Sequence, residues 1–181
     1  MPVNLTPRDV SADLAEFNSV LIASCPVCPP MCLAMQKKAP FIEFFKHGFK
    51  TAAFEDYIRS IRDSLQRRGA RTDVISLHTP TPMMCLWTGR QRKRLLKRAQ
   101  DFEAVLVLAC DSGVESVKDA LKDTDCRVVQ ALNMDGVINA TTTIRFPLTV
   151  SMEPHPESPD EITTPPPSHP GPGQGVQPTT Q

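Results

Sequence analysis

Short apolar runs alternate with amphipathic stretches along this chain. Ser19-Val20-Leu21-Ile22-Ala23 is brief, continuous and rich in branched side chains, so residues 17–24 are predicted as a strand buried on both faces. Residues 73–77, 104–109 and 127–132 predict three more strands, and the third of the four, Ala-Val-Leu-Val-Leu-Ala, is as apolar as a parallel sheet requires. Between these runs the period lengthens to that of a helix. Over residues 51–68 the apolar positions Phe54, Tyr57, Ile58, Ile61 and Leu65 share one face, and Gly69 stands where a C-terminal cap belongs. Residues 87–100 and 114–121 are predicted helices, and 137–150 adds extended structure. The alternation predicts an α/β protein: a single Rossmann-like domain with a mostly parallel sheet over residues 1–152. The aromatic cluster Phe41-Ile42-Glu43-Phe44-Phe45 reads as core or as a patch facing a partner.

The character changes at Glu153. Nine of the 18 prolines fall in residues 153–181, which carry four acids and no Lys or Arg. Such a composition buries too little apolar surface to offset chain entropy, so a disordered tail is predicted there. The formal net charge of zero therefore divides into 20 basic against 16 acidic residues over 1–152 and four acids beyond. That mild excess gives no reason to expect a nucleic-acid partner. No stretch approaches the roughly 20 apolar residues of a membrane helix, and the N-terminus lacks a signal-peptide pattern. A cytoplasmic protein is expected, and six cysteines in a reducing compartment favour metal or redox chemistry over a disulfide framework.

The cysteines carry the sharpest signal. Cys25, Cys28 and Cys32 leave the end of the first predicted strand as C-x2-C-x3-C. A tight loop with this spacing brings three thiols to one centre, one short of the four that tetrahedral zinc or a cubane cluster usually takes. Cys85 follows the second predicted strand through a short loop, and Cys110 follows the third directly. In a parallel sheet those strand ends share one edge, where open α/β folds place ligands. Five thiols thus compete for four places, with Cys85 or Cys110 as the fourth ligand. Cys126 precedes the fourth strand at the opposite edge and reads as a small buried residue. The scarcity of nearby histidines and the apolar, proline-rich surroundings favour an iron–sulfur cluster, [4Fe-4S], over zinc.

These residues resemble the C-terminal domain family of methylenetetrahydrofolate reductase, which includes the MetV-type small subunits, over about residues 17–139. The family's strand followed by Cys-Gly-x-Cys-x-x-x-Cys is similar to Cys25-Pro26-Val27-Cys28-Pro29-Pro30-Met31-Cys32, with Pro26 in place of glycine. Its later isolated cysteine matches Cys85. Its strand ending Ala-Cys-Gly-x-Gly-Val matches Ala109-Cys110-Asp111-Ser112-Gly113-Val114, and its valine strand with Ala-Leu-Asn matches Val128 to Asn133. The resemblance implies an accessory subunit that passes electrons to or from a flavin-containing reductase in one-carbon metabolism, with Cys25, Cys28, Cys32 and Cys85 as ligands and Cys110 as the alternative. Two other readings remain open: a structural zinc module that mediates interactions, and a methyl-transfer accessory protein working with a corrinoid or folate partner. Whether the chain is itself catalytic is left open; an electron-transfer subunit without catalysis of its own is the expectation.

Two further features are read conservatively. Six of the nine residues from Arg90 to Arg98 are basic, which predicts a solvated or protein-docking helix face. Asp111-Ser112-Gly113 predicts helix capping rather than phosphate binding. His47, His78, His155 and His169 are scattered, and no phosphate-binding loop or nucleophile elbow is present.

Overall fold

The computed structural model describes residues 3–75 and 83–155. At its centre four parallel strands run in the order β4-β2-β5-β6, with β2 at Ser19–Ser24, β4 at Arg71–Ile75, β5 at Ala104–Leu108 and β6 at Arg127–Gln130. Every pairing in this sheet is parallel: Val20 lies opposite Thr72 on one side and Ala104 on the other, and Val105 lies opposite Val128. The α/β reading therefore holds at the level of a mostly parallel sheet with helices. All five residues of β5 are fully buried, as its unbroken apolar sequence demands.

Successive residues of the strands serve two cores. Val20, Ile22, Leu106 and Leu108 face α3 (Ala52–Arg67) through Phe54, Ile58 and Leu65. Leu21, Ala23, Val105 and Val107 face α4 (Gly89–Ala99) and α5 (Asp111–Leu121) through Leu95, Ala99, Val114 and Val117. This alternation is the period-two geometry of a strand covered on both sides. Gly69 takes φ +86° directly after α3, the left-handed conformation that ends a helix at little cost to glycine. Thr88 and Gln91 close a reciprocal capping box at the start of α4. Its basic face is partly paired inside the molecule, Arg92 with Asp119 and Arg98 with Asp73.

The order of the strands matters for function. After β2 the chain goes outward to β4, then crosses back over β2 to build β5 and β6 on the other side. The carboxyl ends of β2 and β5 therefore flank the topological switch point, where open α/β sheets form their crevice.

Antiparallel structure surrounds this sheet. β1 (Val3–Pro7) pairs with β7 (Leu132–Val137), and β3 (Ile42–Glu43), β9 (Thr149–Pro154) and β8 (Ala140–Arg145) form a three-stranded sheet in the order β3-β9-β8. The short α2 (Phe44–His47) leads out of β3. Phe44 packs edge-on against Phe45 and Phe49, both largely exposed. β9 continues through Glu153, opposite Thr141, and Pro154, opposite Ala140, so ordered pairing extends past the boundary predicted at 153. The remainder of the predicted tail, and His78 and His169, lie outside the described residues.

Candidate metal centre

The predicted cysteine loop is a loop only as far as Val27. From Cys28 to Gln36 the chain is helical (α1), with Pro29 and Pro30 in its opening turn. Proline is at home there, because the first amides of a helix have no carbonyl to bond. Cys28 and Cys32 are thus one turn apart on one face of a helix, and both pack with the core that faces α3. Their polar partners differ.

Cys25 is pinned at the end of β2, where its amide donates to the Leu108 carbonyl of β5 at 2.9 Å and extends the ladder by one rung. Cys110 follows two residues after Leu108 and precedes α5. Cys28, at the first position of α1, packs against the same core as Cys110 and follows Cys25 by three residues. Cys85 sits on the single 3-10 turn Met84–Leu86 and feels the charges of Cys110 and Cys25. That turn rests on the first turn of α5 through the fully buried Met84. Gly113 makes the approach possible: a Cβ there would lie 2.7 Å from the Ala109 Cβ and 3.4 Å from the Met84 Sδ. Cys25, Cys28, Cys85 and Cys110 thus sit on the elements that flank the carboxyl edge of the sheet beside the switch point.

Their ionisation is uneven. The Cys28 thiol, with help from the Met84, Val27 and Cys28 backbone, brings Cys25 down to about 6 against the cost of burial. Cys28 likewise brings Cys110 down to about 6, aided by the backbone amides of Gly113 and Ser112 at the start of α5. Cys28 itself is pushed well up, first by Cys110, then by Cys25 and by burial. Cys85 is raised by burial and by the two nearby negative charges. A thiolate is the form of cysteine that binds metal, and thiolate donors select zinc, copper(I) or iron–sulfur clusters. The donor chemistry fits such a centre. Among the described residues, no group of three or more Cys, His, Asp or Glu side chains already stands in metal-ligating geometry.

Cys32 lies elsewhere. Its sulfur accepts from the Leu5 amide at 3.2 Å and from Gln36 Nε2 at 3.3 Å, and its thiol faces the Leu5 carbonyl at 3.4 Å. Gln36 Nε2 also donates to that carbonyl at 3.0 Å. Burial raises the Cys32 thiol, with Asp135 adding to the effect and the Leu5 amide opposing it. The sulfur acts as a clasp between α1 and the N-terminal strand β1. The C-x3-C half of the expected triplet is thus divided between two places, while Cys85 and Cys110, read as rivals, are both in the group.

Two smaller readings are also changed. Cys110, not Asp111 or Ser112, occupies the N-cap of α5, and Asp111 Oδ1 instead accepts from Gln130 Nε2 at 2.8 Å. Cys126 is half-buried beside β6 rather than deep in the core. It lines, with Phe17, Phe102 and Glu103, a cleft of about 660 Å³ that contains none of the four gathered thiols. Sequence reasoning missed Gly113 as the residue that lets the Cys85 turn approach. Its signal was the glycine three positions after a strand-terminal cysteine.

No family model, no curated protein and no solved structure matches the chain.

Proposed function

We infer that this protein is an accessory subunit built around a cysteine-ligated metal centre, held by Cys25, Cys28, Cys85 and Cys110. The observation that carries the reading is the placement of Cys25 and Cys110 at the carboxyl ends of β2 and β5, with Cys28 opening α1 and Cys85 on the turn that packs on α5. A metal or cluster bound there would supply either a one-electron redox couple or a fixed structural cross-link. The chain's own contributions are distinct from it. β2 and β5 set Cys25 and Cys110 side by side, and the Gly113 and Val114 amides of α5 donate to the Cys110 carbonyl, which fixes the turn that carries it. Met84 and Trp87, both buried, keep water from one side of the group.

The strand order supports a Rossmann-like fold, and the order of cysteine motifs supports kinship with the C-terminal domain family of methylenetetrahydrofolate reductase. On that reading the centre is an iron–sulfur cluster, [4Fe-4S], in a reducing, cytoplasmic setting. It exchanges electrons with a flavin-containing reductase subunit in one-carbon metabolism.

Anaerobic purification followed by metal and sulfide analysis tests this. Iron with acid-labile sulfide, and visible absorbance that bleaches on reduction, is the expected result. Colourless protein with about one tightly held zinc per chain would replace electron transfer by a structural or methyl-transfer role, and corrinoid- or folate-dependent demethylation would separate those two. Protein that takes up neither metal would overturn the centre altogether.

A further inference from the structure

The metal-free thiol group has an arrangement that ligand counting alone does not use. Cys28 opens α1 three residues beyond Cys25, whose amide bonds Leu108 two residues before Cys110, and Cys28 packs against the core that includes Cys110. Cys85 sits apart on the 3-10 turn Met84–Leu86. Cys32 is engaged with Leu5 and Gln36, and Cys126 lies beside a separate cleft. Cys25-Pro26-Val27-Cys28 is moreover a C-x-x-C that joins the end of a strand to the first residue of a helix. That is the setting in which a dithiol closes and opens as a redox pair. Cys25 and Cys110 are buried, whereas Cys28 is only partly buried, so only a small oxidant reaches the group.

We propose that the metal-free chain is a two-electron thiol–disulfide switch in which Cys28 closes a disulfide with Cys25 or Cys110, with a small peroxide as the oxidant. One flanking sulfur attacks the peroxide: an S–O bond forms, the O–O bond breaks, and the departing oxygen leaves as water after taking up a proton. The Cys28 sulfur then attacks the resulting sulfenic sulfur. An S–S bond forms, the S–O bond breaks, and a second water carries away the remaining proton. Two thiols are oxidised and one peroxide is reduced to two waters. A low-molecular-weight thiol reverses the step by exchange, through a mixed disulfide on Cys28, the accessible member. The closed form withdraws two of the four gathered thiols, so oxidation and metal loading exclude one another.

The test uses the full chain, stripped of metal by a chelator under reducing conditions. One equivalent of hydrogen peroxide is added, free thiols are counted after denaturation, and disulfides are mapped by mass spectrometry of unreduced peptides. The expected result is loss of two of the six thiols, with Cys28 joined to Cys25 or Cys110 and full recovery on reduction. Cys28→Ser should form no intramolecular disulfide and stop at a single sulfenic acid. A first disulfide that lacks Cys28, or bonds that link separate chains, would overturn the proposal. Zinc uptake by the reduced chain is measured alongside. A chain that binds metal but forms no Cys28 disulfide refutes the switch alone, and one that forms the disulfide but takes up no metal refutes the metal centre alone.

Discussion

Cys28 and Cys32 stand four positions apart on α1, on the same side of the helix and separated by a rise of about 6 Å. The first opens the helix three residues beyond Cys25 and packs against the core that includes Cys110. The second, one turn deeper, meets the N-terminal strand and takes the Leu5 amide. One helix face thus carries a residue suited to chemistry and a residue suited to architecture, and position relative to the sheet edge separates them. A helix still lets residues four apart share a ligand on one face, so it is the Leu5 amide and Gln36, not the helix itself, that engage Cys32 elsewhere.

This contrast is open to direct attack. The largest effect is expected from Cys28→Ser, which removes the thiol that stabilises both charged neighbours. In metal-free protein the thiolate absorbance of Cys25 and Cys110, which should titrate near pH 6, should move upward by about one unit or more. An unchanged titration would mean that Cys28 does not bridge them. Gly113→Ala should cost about 1–3 kcal/mol through the clash with Ala109 and Met84, read from denaturant unfolding, and should weaken metal uptake by displacing the Cys85 turn. A stable variant with normal metal uptake would show that the turn is not held in this way.

Cys32→Ala should also cost about 1–3 kcal/mol, since the buried Leu5 amide loses its acceptor, but it should leave the thiolate titration where it was. A shift in that titration would place Cys32 in the group after all. The smallest effect concerns pH. Cys25 and Cys110 are both lowered in the folded state, so each favours folding above its ordinary thiol range and loses that contribution as pH falls towards 6. Metal-free protein should therefore become less stable to denaturant between pH 8 and pH 6. Cys28, raised in the folded state, favours folding below the ordinary thiol range and begins to oppose it only above that range.

Much of this was legible beforehand. The unbroken apolar runs announced the strands, and the cysteines that terminate two of them, with Cys85 beyond a third, announced a shared edge. The start of α1 was hidden because Pro29-Pro30 signals a loop in most contexts, yet fits the first turn of a helix without loss. The role of Cys32 was hidden for a different reason. Its partner Leu5 lies 27 residues away, on a strand that β7 holds in place from far down the chain. No local pattern encodes such a contact. Gly113 was visible as a glycine, but the Met84 side chain that requires it comes from a different element.

The most direct measurement is metal content across a set of single variants of the full chain, each compared at equal folded content. Cys25→Ser, Cys28→Ser, Cys85→Ser and Cys110→Ser should each lose the bound metal or cluster, while Cys32→Ser and Cys126→Ser should keep the stoichiometry of the unaltered protein. Loss of metal in Cys32→Ser, together with its retention in Cys85→Ser or Cys110→Ser, would contradict the account and return the centre to the contiguous triplet.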